Sequence, residues 1–194
     1  MSREVLSTKK QFIFEEAAKL FRDKGYLATS MRELATKVGL EPSSLYSHIK
    51  SKEEILQKIC LDNAEKFMEG IEAIDQKKQT AVEKIEALIG LHIKIATEDL
   101  TSVTVFNDEW RHLGEASLKE FLTLRRSYES RFRKIIESGI EAKTFRAIDS
   151  NVALFSILTS LRWIHYWYKP GRKLDVVTLQ AQIIDLLLHG LKQD

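Results

Sequence analysis

The chain has one cysteine, Cys60, among 194 residues. That excludes an intramolecular disulfide and agrees with a reducing compartment. Proline occurs twice and glycine eight times, so little interrupts long helices. No apolar run approaches the ~20 residues that a membrane-spanning helix needs. The opening residues lack the apolar core of a secretory leader. A cytoplasmic protein without a membrane partner is therefore expected. Charge of one sign is missing too: 30 Lys and Arg face 28 Asp and Glu, a net of +2. There is no nucleophile–base pattern, no glycine-rich phosphate loop and no short metal-ligand spacing, so no enzyme, cofactor or metal site is expected. Strand signals, internal repeats and low-complexity tracts are absent as well.

What is present is a folded, helical chain. A hydrophobic fraction of 44% and a charged fraction of 30% are those of a globular domain, and the length suffices for a full core. Apolar residues recur at helical spacing almost throughout. The fold class expected is all-α: an N-terminal three-helix domain over residues 1–50 and a larger helical domain over 51–194. Residues 1–60 hold eleven Lys and Arg against eight Asp and Glu, a net of +3, which leaves −1 for the rest of the +2 total. This mild basic bias suits a module that meets phosphate but decides nothing alone.

The informative stretch runs from Thr29 to Leu56. Ser30 is a good N-cap with Glu33 three residues on, the spacing of a capping box. Met31, Leu34, Ala35 and Val38 form one inner face. Gly39 follows the last of them, where a helix end often needs a left-handed residue. Pro42 suits the first turn of the next helix. Leu45 and Ile49, four apart, turn that helix inward and leave Ser43, Ser44, Tyr46, Ser47 and His48 pointing elsewhere. Ser51 and Glu54 form a second capping-box pattern and start a third helix. Two short helices with a tight turn, the second presenting small polar and aromatic residues outward, describe a helix-turn-helix.

This stretch resembles the DNA-binding segment of the TetR family of transcriptional regulators. The matching residues are Arg32-Glu33-Leu34-Ala35, Val38-Gly39, Ser44-Leu45-Tyr46, His48-Ile49 and Ser51-Lys52-Glu53. Upstream, Ala17-Ala18-Lys19-Leu20-Phe21 and Lys24-Gly25-Tyr26 extend the match over the first third of the chain. The resemblance implies a dimeric regulator, a repressor, that binds double-stranded DNA and responds to a small-molecule effector. The second helix of such a motif enters the major groove and meets base edges with its first residues, here Pro42, Ser43 and Ser44, followed by Tyr46, Ser47 and His48. By the same resemblance Tyr46 and His48 contact backbone or bases, Lys52 meets a phosphate, and Thr29 and Ser30 meet phosphate where the first helix crosses the backbone. Bidentate Arg–guanine or Asn/Gln–adenine readers are missing from this helix, so DNA shape must contribute to recognition.

The remaining helices are expected over Ser7–Gly25, Ser51–Asp75, Thr80–Thr97, Thr101–Leu113, Ser117–Gly139, Ser150–Tyr168 and Asp175–His189. The last two are apolar almost all round, and a chain this small cannot cover them on every side, so a homodimer through these two helices is expected. In the middle helices Phe106, Trp110, Arg125, Tyr128, Trp163 and Trp167 are the candidates for an effector site. Arg125 falls on the apolar face between Phe121 and Tyr128 and needs a partner there: a carboxylate such as Asp108 or Glu109, or an anionic ligand group. Trp110 and Trp163 fit plain core as well as the aromatic lining of a pocket. His92, alone on an apolar stripe, reads as a hydrogen-bonded core histidine.

A second resemblance concerns this half. Arg125-Arg126-Tyr128-Glu129, Gly139, Phe145, Trp163 and Trp167-Tyr168-Lys169-Pro170-Gly171 are similar to TetR-family regulators that sense acyl-coenzyme A thioesters. It implies an acyl chain among the apolar helices and Arg125, Arg126 or Arg131 facing the nucleotide phosphates. The competing reading is an architectural DNA-binding protein that senses nothing.

Overall fold

The computed structural model describes residues 8–169 and 174–189. Among these there is no strand, as expected for an all-α chain. The helices are α1 (Thr8–Lys24), α2 (Met31–Lys37), α3 (Pro42–His48), α4 (Lys52–Asp75), α5 (Ala81–Glu98), α6 (Leu100–Asp108), α7 (Glu115–Glu141), α8 (Ser150–Arg162), α9 (Ile164–Trp167) and α10 (Val176–His189), with a 3-10 turn at Trp110–His112 between α6 and α7.

The chain forms two compact units. The first joins Met1–Asn63 to Thr101–Phe121, and the second joins Ala64–Leu100 to Leu122–Asp194. Both α4 and α7 pass from one unit into the other.

In the first unit α1 packs on α2 and α2 on α3. Ile13, Ala17, Leu20 and Phe21 of α1, Leu34 and Ala35 of α2, Leu45 and Ile49 around α3, and Ile55, Leu56 and Ile59 of α4 are buried. They are the residues that the helical spacing selects, and their burial holds α2 and α3, which at 7 residues each are too short to stand alone. Ser30 caps α2, its Oγ accepting the Glu33 N–H at 3.1 Å. The Glu33 carboxylate is held by the Lys24 ammonium, whose hydrogen bond is the main reason its pKa is lowered. At α4 the Ser51 hydroxyl accepts the Glu54 N–H at 3.2 Å, while the Glu54 carboxylate accepts the N–H of Lys50 at 2.8 Å, one residue before the expected partner. Gly39 has φ 67°, a left-handed conformation that turns the chain from α2 toward α3.

In the second unit α5 is the central helix, in contact with α8, α9 and α10. Ile85, Leu88, Ile89, Ile93, Ile95 and Ala96 of α5 are all buried, which is how a helix with neighbours on several sides must be built. Its start is fixed by a capping box between Thr80 and Glu83. Asp149 caps α8, accepting the N–H groups of Asn151 and Val152.

Three expectations change. The helix placed over Ser117–Gly139 extends to Glu141, because Gly139 lies inside it against Phe145 rather than ending it. The helix placed over Ser150–Tyr168 is broken at Trp163 into α8 and α9; the break turns Ile164, His165 and Tyr168 inward and leaves Trp163, Tyr166 and Trp167 exposed. Arg125 is exposed rather than set in the apolar face, and its Nε bonds Glu129 one turn on, at 2.9 Å. A long flexible side chain lays its stem along the helix and carries its charge to water, where an i,i+4 carboxylate meets it. Pro170 and Gly171 lie outside the described residues.

Candidate nucleic-acid interface

The face presented by α3 follows from which residues anchor it. Leu45 and Ile49 are fully buried, so one side of the helix is fixed to the unit's core. Pro42, Ser43, Ser44 and Ser47 are then exposed, His48 is half-buried, and the Tyr46 ring is 52% exposed. The half of the ring left in water is open to a partner. The Ser47 hydroxyl donates to the Ser44 carbonyl at 2.7 Å, while no side-chain bond within the unit engages the Ser43 or Ser44 hydroxyl among the described residues. The outward row is thus small hydroxyls, one phenol and one imidazole. Each can donate to a phosphate, and donate to or accept from a base edge.

Two other expected DNA residues are turned inward. Thr29 is buried, and its hydroxyl donates to the Gly25 carbonyl at 2.9 Å. The Lys52 ammonium donates to the carbonyls of Tyr26 at 2.8 Å, Thr29 at 2.9 Å and Leu27 at 3.4 Å, and sits 4.3 Å from the centre of the Tyr26 ring. Three acceptors use all three of its N–H bonds. Lys52 ties the start of α4 to the turn between α1 and α2. Lys10 is engaged similarly, with Glu54 at 3.0 Å. Ser30 remains exposed.

Tyr26 is the hub of this turn. Phe21 meets it edge-on at 5.2 Å and the His112 ring stacks on it at 5.8 Å. Burial and the nearby Glu53 charge push its phenol above the ordinary pKa, so it acts here as an apolar surface. Cys60 is buried in the same unit, and burial, helped by the Glu109 charge, pushes its thiol up to about 12, which makes it inert. Sequence reasoning passed over Arg32 and Lys50. Both are exposed and flank α3 or lie in α2, and their charge beside the motif was the available signal.

The residues expected at an effector site fall into separate groups. Phe106 and Trp110 pack on Phe121 in the first unit, at 5.6 and 5.5 Å, with the Arg111 guanidinium 4.6 Å from the Trp110 ring. Tyr128 is buried in the second unit against Phe67, His92 and Phe132. Trp163 and Trp167 are 54% and 51% exposed. An open groove of about 690 Å³ runs along α8, lined by Asn151, Val152, Phe155, Ser156, Thr159 and Ser160. Among the described residues there is no group of three metal-binding side chains, and no helix is long and apolar enough to cross a membrane.

Comparison with known proteins agrees with this geometry. Residues 13–59 match the family model described as bacterial regulatory proteins of the tetR family, and residues 78–191 match the tetracyclin repressor-like C-terminal domain. The chain is 29% identical over 186 residues to the HTH-type transcriptional repressor KstR2 of Rhodococcus jostii, covering 92% of this chain and 89% of that one. The structure of the ketosteroid transcriptional regulator KstR2 of Mycobacterium tuberculosis superposes with a TM-score of 0.91 over 98% of both chains at 21% identity, a likeness of fold. AibR in complex with isovaleryl coenzyme A and operator DNA has a TM-score of 0.80 and 25% identity over 92% of this chain and 97% of its own.

Proposed function

The chain belongs to the TetR family of transcriptional regulators, and from that premise we propose that it is a repressor that binds a pseudo-palindromic operator as a dimer and leaves it when an acyl-CoA thioester binds. It is a DNA-binding regulator, not an enzyme. The observation that carries the operator reading is α3: buried on Leu45 and Ile49, with Ser43, Ser44 and Tyr46 outward. In this reading those three, with Pro42, Ser47 and His48, meet bases and nearby phosphates, and Ser30, Arg32 and Lys50 add backbone contacts. Thr29 and Lys52 serve from beneath, by shaping the turn.

The dimer is supported by exposed apolar residues on the last helices, Val152 and Phe155 on α8 and Val177 and Leu186 on α10. A second copy covering them would form a four-helix bundle and set two copies of α3 one DNA turn apart, roughly 34–36 Å. The effector reading is supported by the resemblance of the second half to acyl-CoA sensors and by the AibR complex with isovaleryl coenzyme A. In it the nucleotide phosphates lie against basic residues such as Arg125, Arg126 and Arg131 of α7. Effector binding then acts on the operator through α4 and α7, which are continuous between the units, and only if the thioester binds the two conformations with different affinity.

A band-shift assay on the DNA upstream of the protein's own gene tests the reading. Wild type is expected to bind and to be released by an acyl-CoA, and Tyr46→Ala to bind at least tenfold more weakly while remaining dimeric. Unchanged binding by Tyr46→Ala would remove α3 as the reading helix.

A further inference from the structure

The second unit holds a polar pair that the proposed function leaves unused. On α5, His92 stands among isoleucines and leucines, and α7 brings Tyr128 to it: the ring Nε2 and the phenol oxygen are 2.7 Å apart. Phe67 of α4 packs on both, with ring centres 4.6 Å from His92 and 5.8 Å from Tyr128. Tyr128 is buried, but part of His92 stays accessible. Burial nevertheless holds the His92 pKa at about 3 and raises that of Tyr128, and for neither does a neighbouring charge add to the shift. The pair thus stands at the edge of the second unit's core, held neutral by its apolar surroundings.

The neutral pair has a fixed hydrogen-bonding capacity. Imidazole carries one N–H and one lone pair, and the phenol one O–H. Among the described residues His92 Nδ1 has no hydrogen-bond partner. If Tyr128 donates to Nε2, the Nδ1–H is left to offer; if Nε2–H donates to Tyr128, the phenol O–H is left. Either way one donor remains, and no neighbouring charge shifts either group. A carboxylate received there would be a buried and unpaired charge, which is heavily disfavoured, whereas a neutral carbonyl asks only for the donor.

We propose that His92 and Tyr128 form the polar reading point of the effector site, hydrogen-bonding the neutral carbonyl of an otherwise apolar effector, a thioester, and rejecting the corresponding free carboxylic acid. This rests on the effector reading above and adds which atom of the ligand is read and by which residues. It also explains how a regulator tells an activated acyl group from the free acid with the same chain.

The test uses the full-length protein with isovaleryl-, octanoyl- and palmitoyl-CoA, the three matching free acids and free coenzyme A. Melting temperature and operator release are read together. At least one thioester is expected to raise the melting temperature and release DNA, while its acid does neither at the same concentration. Tyr128→Phe and His92→Leu are expected to weaken that thioester about tenfold, and His92→Gln, which keeps a donor, to weaken it less. A free acid that acts as well as its thioester, or variants that respond like wild type, would overturn the pair's role while leaving the effector reading in place. No response of wild type to any thioester would overturn both. Should the variants not fold, the ¹⁵N resonances of the His92 ring in wild type decide: they move on thioester addition, and unmoved resonances contradict the proposal.

Discussion

Lys52, a residue of the DNA-binding motif, has its side chain engaged within its own unit. Its ammonium is saturated by the carbonyls of Tyr26, Leu27 and Thr29, acceptors lying 23 to 26 residues upstream. No local pattern announces such a bond, which is why spacing and resemblance point instead to a phosphate contact. Lys52→Met should therefore lower the melting temperature and weaken operator binding, yet leave the slope of log K against log salt nearly unchanged. Lys50→Ala should reduce that slope by roughly 0.9, the contribution of one phosphate contact. Both slopes come from band shifts across a salt series. His92 gives a second residue-scale prediction. Its folded pKa of about 3 lies below the ordinary 6.5, so below pH 6.5 the unfolded chain takes up a proton that the folded one refuses. Stability attributable to this residue is constant above pH 6.5 and declines as pH falls from there toward 3. Thermal melts from pH 7.5 to 5 should fall more steeply for wild type than for His92→Gln.

At the scale of elements, the parts legible from sequence are those fixed by neighbours in the chain. The cap at Ser30, the turn at Gly39 and the Pro42 start of α3 depend on contacts within four residues. The end of α7 does not. Lys143 has φ 57°, and the N–H groups of Thr144 and Phe145 both donate to the Gly139 carbonyl, at 2.9 and 3.0 Å. This folds the Phe145 ring over Gly139, where an added Cβ would lie 2.2 Å from Phe145 Cδ2. The return of Phe145, with Ala81 Cβ 3.0 Å from the same point, explains why a glycine lies within that helix. Gly139→Ala should cost stability by forcing Phe145 out of place. Lys143→Gly should gain about 1 kcal/mol by relieving the left-handed residue, or roughly 2–4 °C in melting temperature for a chain of this size. Calorimetry of the two variants reads opposite signs. The division between α8 and α9 was not legible, because neither Gly nor Pro marks Trp163 and the inward turn of Ile164 and His165 depends on their tertiary neighbours.

For the whole molecule, the helix-turn-helix was readable because its anchors, turn and outward row fall within 20 consecutive residues. The effector site was readable only as a set of candidate side chains. The structure distributes those among a first-unit aromatic cluster, the second-unit core and an exposed face, an arrangement that no sequence spacing encodes. Exposed apolar residues of α10 make the prediction at this scale. Val177 and Leu186 of α10 are 79% and 75% exposed. In the dimer proposed here they are covered, so the double variant Val177→Glu, Leu186→Lys should sediment as a monomer and lose operator affinity, since one α3 alone binds weakly. Whether two copies of α3 read a symmetric site is decided by selecting bound duplexes from a random library with the purified protein and sequencing them. An enriched inverted repeat is expected, with half-sites about 10 base pairs apart centre to centre or a multiple of that, and no enrichment with Tyr46→Ala. An asymmetric single site, or the same inverted repeat enriched equally by Tyr46→Ala, would contradict a paired reading by α3.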